Sequence, residues 1–249
     1  MAAVSPSVSG PALSRSVVSD LVSRTPLSAG VPAVMARDLV LPLHPVLAPV
    51  FGAAITSTTA GLVRGHTVEC SGSGAMSLAL AMVASASRAG SWTAVVGLPD
   101  CGAMAAAELG VDLERTVFIG QPDEGDVAVV LSAVADGFDL LVVAARTIAR
   151  LSAGATRGLQ TRLRGRGILL TVGRCTSLAV DHRLRVVESQ WDGVGVGHGH
   201  LRRRRVVIDS ESRRRGAPSR HEFWLPGASG APEEIAAAPR RELRLVTGA

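Results

Sequence analysis

The sequence predicts an α/β protein with a mostly parallel sheet, helices on both faces of the sheet, and an antiparallel strand extension toward the C-terminus. Three observations predict this class. Strand and helix patterns alternate with short connections over residues 61–176, and strand patterns without long helices follow over residues 177–226. The core must be built mainly from Ala, Val and Leu, because the 249 residues include four Phe, three Trp and no Tyr. Helices packed on a Val-rich parallel sheet suit such a composition.

The elements of the alternating region follow one another at regular intervals. Apolar runs flanked by turn residues predict strands at Thr67–Cys70, Thr93–Val96, Thr116–Ile119, Leu140–Val143 and Gly167–Val172. Helical spacing of apolar residues predicts helices at Met76–Arg88, Ala103–Leu109, Gly125–Ala135 and Ala155–Arg164. A strand, a crossover helix and a parallel strand form one right-handed unit, so the region predicts a single sheet covered on both faces.

The flanking segments have a different character. Residues 1–60 are rich in Ser, Pro and Ala and predict an arm or linker with a possible short helix near Ser14–Ser23. Residues 177–226 predict basic antiparallel strands near Leu184–Glu188, Arg205–Asp209 and Glu222–Leu225, with Gly193–Gly199 as a flexible loop. Residues 227–249, dominated by Pro, Gly and Ala, predict a disordered tail.

The charge is distributed unevenly along the chain. All 26 basic residues are Arg; residues 1–150 carry 8 of them and 12 acidic residues, whereas residues 151–249 carry 18 and 9. A local excess of Arg indicates an anionic partner, either nucleic acid or an acidic protein surface. The N-terminus lacks the pattern of a signal peptide and no apolar stretch is long enough to span a membrane, so we expect a cytoplasmic protein without membrane contact.

The segment between the first strand and its helix lies where a phosphate-binding loop would lie. It carries Gly72 and Gly74, and Ala75 and Met76 follow. A working loop of this type needs GxxxxGK[ST], because Lys neutralises phosphate charge and the next hydroxyl binds Mg²⁺. Ala75 and Met76 provide neither group, and the chain contains no Lys. The loop is therefore degenerate, and we expect no nucleotide cofactor.

Three further motifs carry a family resemblance. The runs Leu109–Asp112, Gln121–Gly125 and Phe138–Val143, in this order and spacing, make residues 61–175 resemble the bacterial RecA core. The resemblance implies a RecA-like fold. It also implies that Ala75 stands at the Lys position, Leu98 at that of the Glu that activates water, and Ala144 at that of the Asp linked to Mg²⁺. Since three separate parts of the phosphoryl-transfer chemistry are absent, we expect a protein that is not an enzyme.

Among RecA relatives the pattern is most similar to the actinobacterial ImuA-prime proteins of the ImuA/SulA/RecA-like group. That resemblance includes the C-terminal pattern of an Arg-rich strand followed by an apolar strand. It implies a non-catalytic adaptor in damage-induced mutagenic translesion synthesis. The partners it implies are an ImuB-like inactive Y-family polymerase and a DnaE-type error-prone polymerase.

The candidate binding residues lie in the C-terminal third. They are two Arg runs and one aromatic residue: Arg202, Arg203, Arg204, Arg205, Arg213, Arg214, Arg215 and Trp224. The Arg runs could contact DNA phosphates, bind an acidic protein segment, or form a solvated surface. In Phe223-Trp224-Leu225, strand alternation places Phe223 and Leu225 on one side, as core residues, and Trp224 on the other.

Other kinds of site have weak sequence support. His198 and His200 have no clustered third ligand, and Cys70, Cys101 and Cys175 are far apart, so we expect no metal site and free thiols. Two alternative functions remain at this stage. A RecA paralogue that binds DNA directly would be retained on single-stranded DNA in a salt-dependent manner, and a SulA-like inhibitor of cell division would bind the division GTPase.

Overall fold

The computed structural model describes residues 40–51, 61–195, 198–213 and 217–235. Eleven strands lie in these ranges: β1 Val40–Pro42, β2 Gly61–Val63, β3 Thr67–Gly72, β4 Thr93–Val96, β5 Thr116–Ile119, β6 Leu140–Ala144, β7 Ile168–Val172, β8 His182–Gly195, β9 His198–Ser212, β10 Ser219–Trp224 and β11 Glu233–Glu234. The α-helices in the described part are α1 Ala75–Arg88, α2 Ala103–Glu108, α3 Val127–Gly137, α4 Ala145–Ile148 and α5 Ala153–Leu163. Short 3-10 helices cover Pro45–Phe51 and Leu113–Arg115.

Nine of these strands form one sheet in the order β11-β10-β9-β8-β3-β7-β6-β4-β5. The pairs from β8 to β5 are parallel, and the three pairs β8–β9, β9–β10 and β10–β11 are antiparallel. The predicted α/β class, with a mostly parallel sheet and an antiparallel C-terminal extension, is thereby confirmed. Since β3 lies in the middle of the sheet, its carboxyl end delivers the degenerate loop to the centre of one edge.

Both faces of the parallel part are buried, as a parallel sheet requires. Alternation along β6 shows this directly, because Leu140 and Val142 pack toward α1 whereas Leu141 and Val143 pack toward α3 and α5. All four side chains are fully buried. Leu131 on α3 and Leu163 on α5 cover the second face. The continuous Val/Leu runs in the sequence thus correspond to strands with two apolar faces.

The C-terminal extension is longer than the sequence predicts. β8 pairs in parallel with β3 on one side and antiparallel with β9 on the other, so it joins the two kinds of sheet. The predicted loop Gly193–Gly199 is in part regular strand, since β8 continues to Gly195 and β9 begins at His198. Part of the segment predicted as a disordered tail is ordered, because β11 pairs with Phe223 and Trp224 of β10. Residues 236–249 lie outside the described part.

Part of the predicted N-terminal arm packs on the core. Val40–Pro42 pairs with β2, and the 3-10 helix Pro45–Phe51 buries Leu47, Val50 and Phe51 against the same face as α1. The Phe51 ring contacts the His182 ring edge to face at a centroid distance of 4.9 Å. Frequent Pro therefore marks a short packed connection here, where we had expected a linker. The helix predicted at Ser14–Ser23 lies outside the described residues.

Within the described residues no helix is long and apolar enough to cross a membrane.

We expect Val142→Ala to lower the free energy of unfolding by about 2 kcal/mol, because Val142 is fully buried between β4 and β7 and truncation leaves a cavity. The matched change Val129→Ala should alter it by less than about 0.5 kcal/mol, because Val129 on α3 is 50% exposed. Urea denaturation of both variants checks this. Equal losses would contradict the placement of β6 as a buried strand between β4 and β7.

Candidate functional site

The degenerate loop turns sharply between β3 and α1 at two glycines in the left-handed region. Gly72 has φ 89° and Gly74 has φ 95°. A Cβ atom at Gly72 would clash with the carbonyl oxygen of Val186 on β8, so glycine is required there by space as well as by conformation. Gly74 is the N-cap residue of α1, and its carbonyl oxygen accepts a hydrogen bond from the Leu78 amide at 3.0 Å. The loop therefore keeps the geometry of a strand-to-helix turn without Lys.

The Arg204 side chain fills the space against Gly74. A Cβ atom built on Gly74 would lie 2.7 Å from Nη1 and 2.8 Å from Nη2 of Arg204. Arg204 reaches the loop from β9, which is separated from β3 by one strand, β8. The guanidinium thus packs on the loop at the N-terminus of α1, where an anion would otherwise be favoured.

Arg204 is held in place mainly by backbone groups. Its Nε donates to the Leu225 carbonyl oxygen at 2.7 Å, and its amide donates to the Pro226 carbonyl oxygen at 2.9 Å. The guanidinium carbon lies 5.3 Å from the centre of the Trp191 ring. The residue is 7% exposed, and Nη2 is buried without a hydrogen-bond partner in the described structure. Burial lowers the pKa of Arg204.

Hydrogen bonds between loops occupy the neighbouring strand ends. Ala144 is buried at the end of β6. Leu98 is partly buried and packs against the core on the α1 side of the sheet. Arg146 donates through Nη2 to the Gly97 carbonyl oxygen at 3.0 Å, and Thr147 Oγ1 donates to Gln121 Oε1 at 3.2 Å. These contacts tie the loops after β4, β5 and β6 together.

Nucleophilic and metal chemistry has little support among the described residues. The three cysteines are free thiols, and burial raises the pKa of Cys70 and of Cys101, so neither forms a thiolate readily. The described part contains no group of three or more His, Cys, Asp or Glu arranged to hold a metal ion. The buried Glu69 on β3 accepts a hydrogen bond from the Cys175 amide at 3.0 Å, which is a structural role.

Strand alternation divides the first Arg run between the two faces of β9. Arg204 points inward, whereas Arg203 and Arg205 lie on the outer face, away from α1. Arg203 Nε donates to Asp192 at 3.0 Å and its guanidinium stacks on the Trp224 ring at 3.9 Å. Arg205 pairs with Glu222 and with Glu188. As predicted, Phe223 and Leu225 are buried and Trp224 lies on the opposite side.

The outer face of β8, β9 and β10 carries balanced charge. It presents five arginines and five acidic residues: Arg183, Arg185, Arg203, Arg205, Arg220, Glu188, Asp192, Asp209, Glu211 and Glu222. Arg220 pairs with Asp209 at 2.7 Å. A surface in which each cation faces an acid attracts a polyanion weakly. The Arg-rich sequence of β9 therefore does not produce a basic patch on this face.

Arg213, the first residue of the second Arg run, lies at the other end of β9. Arg213 follows the strand and is exposed, roughly 35 Å from Arg202 at about 3.3 Å per residue. Arg214 and Arg215 lie outside the described residues. Arg213 and the first Arg run are thus separated by about the length of β9. Any ligand that uses both must extend from one edge to the other.

A cleft of about 460 Å³ opens beside the degenerate loop, and we call it the carboxyl-edge cleft. It is lined by α1, α2, the β8–β9 hairpin and the turn after β10, with Ser77, Glu108, Trp191, Leu201, Arg202 and Pro226 among its residues. Trp191 is 42% exposed and Leu201 is 54% exposed. Arg202 is exposed and forms no ion pair within the described part.

Sequence reasoning missed Trp191 because of a β-bulge. Simple alternation from the buried Leu184 and Val186 puts residue 191 on the outer face. The register shifts between Val186 and Glu188, so Trp191 pairs with Arg204 and turns to the inner side. Its exposed position beside the cleft cannot be read from the sequence pattern.

Comparison with known proteins gives three similarities. The family model described as MT3502 N-terminal domain matches residues 56–177. The uncharacterized protein Rv3395c of Mycobacterium tuberculosis (strain ATCC 25618 / H37Rv) is 41% identical over 125 residues, which cover 49% of this chain and 52% of that protein. The chain thus spans about half the length of the curated relative that it matches. The crystal structure of the RadB recombinase superposes with a TM-score of 0.49 and 14% identity, covering 77% of this chain and 97% of that chain.

We expect Gly74→Ala to destabilise the protein by about 2 kcal/mol or more, because Ala must adopt a positive φ and its methyl group would clash with Arg204. Gly90→Ala is the matched control at the other end of α1, since Gly90 has φ 101° and no atom within 4 Å of an added Cβ. It should cost about 1 kcal/mol, the conformational part alone.

The steric part of this effect is measured by a double-mutant cycle. In an Arg204→Ala background, Gly74→Ala should cost about as much as Gly90→Ala, because the clash is gone. Urea unfolding of the four proteins gives the coupling energy. Independent effects of Gly74→Ala and Arg204→Ala would show that the guanidinium does not pack on Gly74.

Proposed function

We propose that this protein is a non-catalytic RecA-like adaptor in a damage-induced mutagenic translesion synthesis complex, acting in the cytoplasm. The partners are an ImuB-like inactive Y-family polymerase and a DnaE-type error-prone polymerase. The assignment of these partners rests on the sequence resemblance to the ImuA-prime group. The assignment of a non-catalytic role rests on the site, and the two parts can be tested separately.

One observation carries the non-catalytic role: the Arg204 guanidinium packs on the degenerate loop. A phosphate group held by this loop would occupy the space over Gly74, and that space is filled from within the same chain. The loop also lacks Lys, and Leu98 and Ala144 replace the acidic groups. Because the strands and α1 still form a well-packed core around this loop, the core serves as a rigid frame for binding surfaces.

The carboxyl-edge cleft is the surface best suited to a protein partner. Trp is frequent among the residues that dominate interface energies, and Trp191 is fixed beside Arg204 and Leu201. Arg202 adds an exposed cation at the rim. The cleft therefore fits a partner segment that presents an apolar side chain next to a carboxylate. By contrast, the acids of the outer face already neutralise its arginines.

ATP should leave the melting temperature unchanged. At about 1 mM ATP with Mg²⁺, even a ligand with Kd near 10 μM would stabilise the folded state by about 2.7 kcal/mol, which is a shift of several degrees. Differential scanning fluorimetry with ATP, ADP and inorganic phosphate checks this. A reproducible rise of more than about 2 °C with ATP would show that nucleotide binding persists and would overturn the non-catalytic assignment.

Replacing Trp191 and Arg202 together with Ala should weaken binding of the ImuB-like partner by about tenfold or more, because the aromatic anchor and its flanking cation are lost. Affinity is measured by biolayer interferometry on the purified proteins. The matched control replaces Trp224 and Arg203, the same residue types on the outer face, and should keep the affinity within about twofold.

The two double variants separate the possible results. Weaker binding of the Trp224 and Arg203 variant alone would move the interface to the outer face. Unchanged binding of both would contradict docking through either surface. Melting curves of each variant show whether a loss of binding reflects unfolding, since Trp191 also contacts Arg204. Absence of binding by the wild-type protein would contradict the partner assignment itself.

A further inference from the structure

A second groove lies at the opposite, amino-terminal edge of the sheet. Two adjoining hollows of about 440 and 350 Å³ share Ala179, Asp181 and Arg213 and so form one continuous depression. We call this depression the amino-edge groove. Its cationic side chains come from four separate segments: Arg64 after β2, Arg164 after α5, Arg183 on β8 and Arg213 after β9.

Backbone hydrogen bonds fix these segments relative to one another. The Gly65 amide donates to the Gly167 carbonyl oxygen at 2.7 Å, which joins the turn after β2 to the loop after α5. The Arg213 amide donates to the Asp181 carbonyl oxygen at 2.9 Å, and the Asp181 amide donates to the Thr67 carbonyl oxygen at 2.9 Å. The segments that carry these arginines are therefore joined by backbone hydrogen bonds, and the side chains line the groove without a rearrangement of the backbone.

The positive charge of the groove is only partly compensated. Arg64 pairs with Asp139 at 2.8 Å, whereas Arg164 and Arg213 are exposed and form no ion pair within the described part of the chain. Of the two acids in the lining, Asp181 accepts a hydrogen bond from the Thr67 amide at 2.9 Å. Glu211 lies directly opposite Arg183 on the neighbouring strand. Two unpaired guanidinium groups thus remain available to an anion.

The remaining lining is polar and lacks an apolar anchor. Leu178 and Val180 are 6% and 4% exposed, so they contribute to the core and leave only the small Ala179 at the surface. Gln160 Nε2 already donates to the Ala179 carbonyl oxygen at 2.8 Å. A protein interface normally includes a buried aromatic or aliphatic anchor. A phosphate backbone needs cations and hydrogen-bond donors alone. The chemistry of the groove favours the phosphate backbone.

We propose that the amino-edge groove binds the phosphate backbone of nucleic acid without reading its sequence, with Arg164 and Arg213 as the principal contacts. Both guanidinium groups can donate pairs of hydrogen bonds to phosphate oxygens. The site is at the opposite edge of the sheet from the degenerate loop and the carboxyl-edge cleft. The proposed phosphate-binding site is therefore independent of the proposed adaptor role, and each can be tested without the other.

The test is fluorescence anisotropy of a labelled mixed-sequence DNA strand of about 20 nucleotides with the full-length protein. We expect salt-dependent binding by the wild type between about 50 and 200 mM salt. Replacing Arg164 and Arg213 with Ala should weaken it by about tenfold at the lower salt concentration. The log–log salt slope should become shallower by roughly 1 to 2. Replacing both with Lys should retain most of the affinity, because the charge remains.

The control removes the same charge elsewhere. Arg174 follows β7 at the carboxyl edge and Arg185 lies on the outer face, and both are exposed. Their double Ala variant should bind within about twofold of the wild type. Equal weakening by the two double Ala variants would reduce the effect to net charge and overturn the site. So would absence of wild-type binding, or displacement of the DNA by a polyglutamate of equal charge as effectively as by unlabelled DNA.

Discussion

The contact between Arg204 and Gly74 is the constraint on which the rest of the site depends. A cation beside the N-terminus of a helix is electrostatically unfavourable, and a buried guanidinium without a carboxylate is costly as well. The structure offsets these costs with the hydrogen bond to the Leu225 carbonyl oxygen, the Trp191 ring and the strand pairing of β9. These contacts join the antiparallel extension directly to the loop of the parallel core.

Packing and backbone conformation account for both glycines of the loop without a bound nucleotide. Gly72 is required by the carbonyl oxygen of Val186 and by its positive φ, and Gly74 by its positive φ, with the Arg204 guanidinium packed against it. Glycines in such a loop are therefore poor evidence for nucleotide binding.

The sequence predicts the parallel core well and the C-terminal surface poorly. Strands from Thr67 to Val172 follow from uninterrupted apolar runs, because burial on two faces leaves a strong local pattern. The burial of Arg204 could not be predicted, since an Arg within a run of four is ordinarily exposed. The position of Trp191 depends on the bulge at Val186 and Glu188, which inverts the alternation and has no local sequence signal. Long-range packing decides both positions.

The length and direction of β9 determine how far apart the two proposed surfaces lie. Its first residues lie at the carboxyl edge of the parallel sheet beside Trp191, and its last residues lie at the amino edge beside Arg64 and Arg164. One edge offers exposed apolar side chains and the other offers unpaired guanidinium groups. Since these chemistries suit different partners, a protein segment and a nucleic acid strand can be bound at the same time without competing for one site. The nine-stranded sheet separates the two proposed surfaces by roughly the length of β9, so a ligand at one edge leaves the other edge accessible.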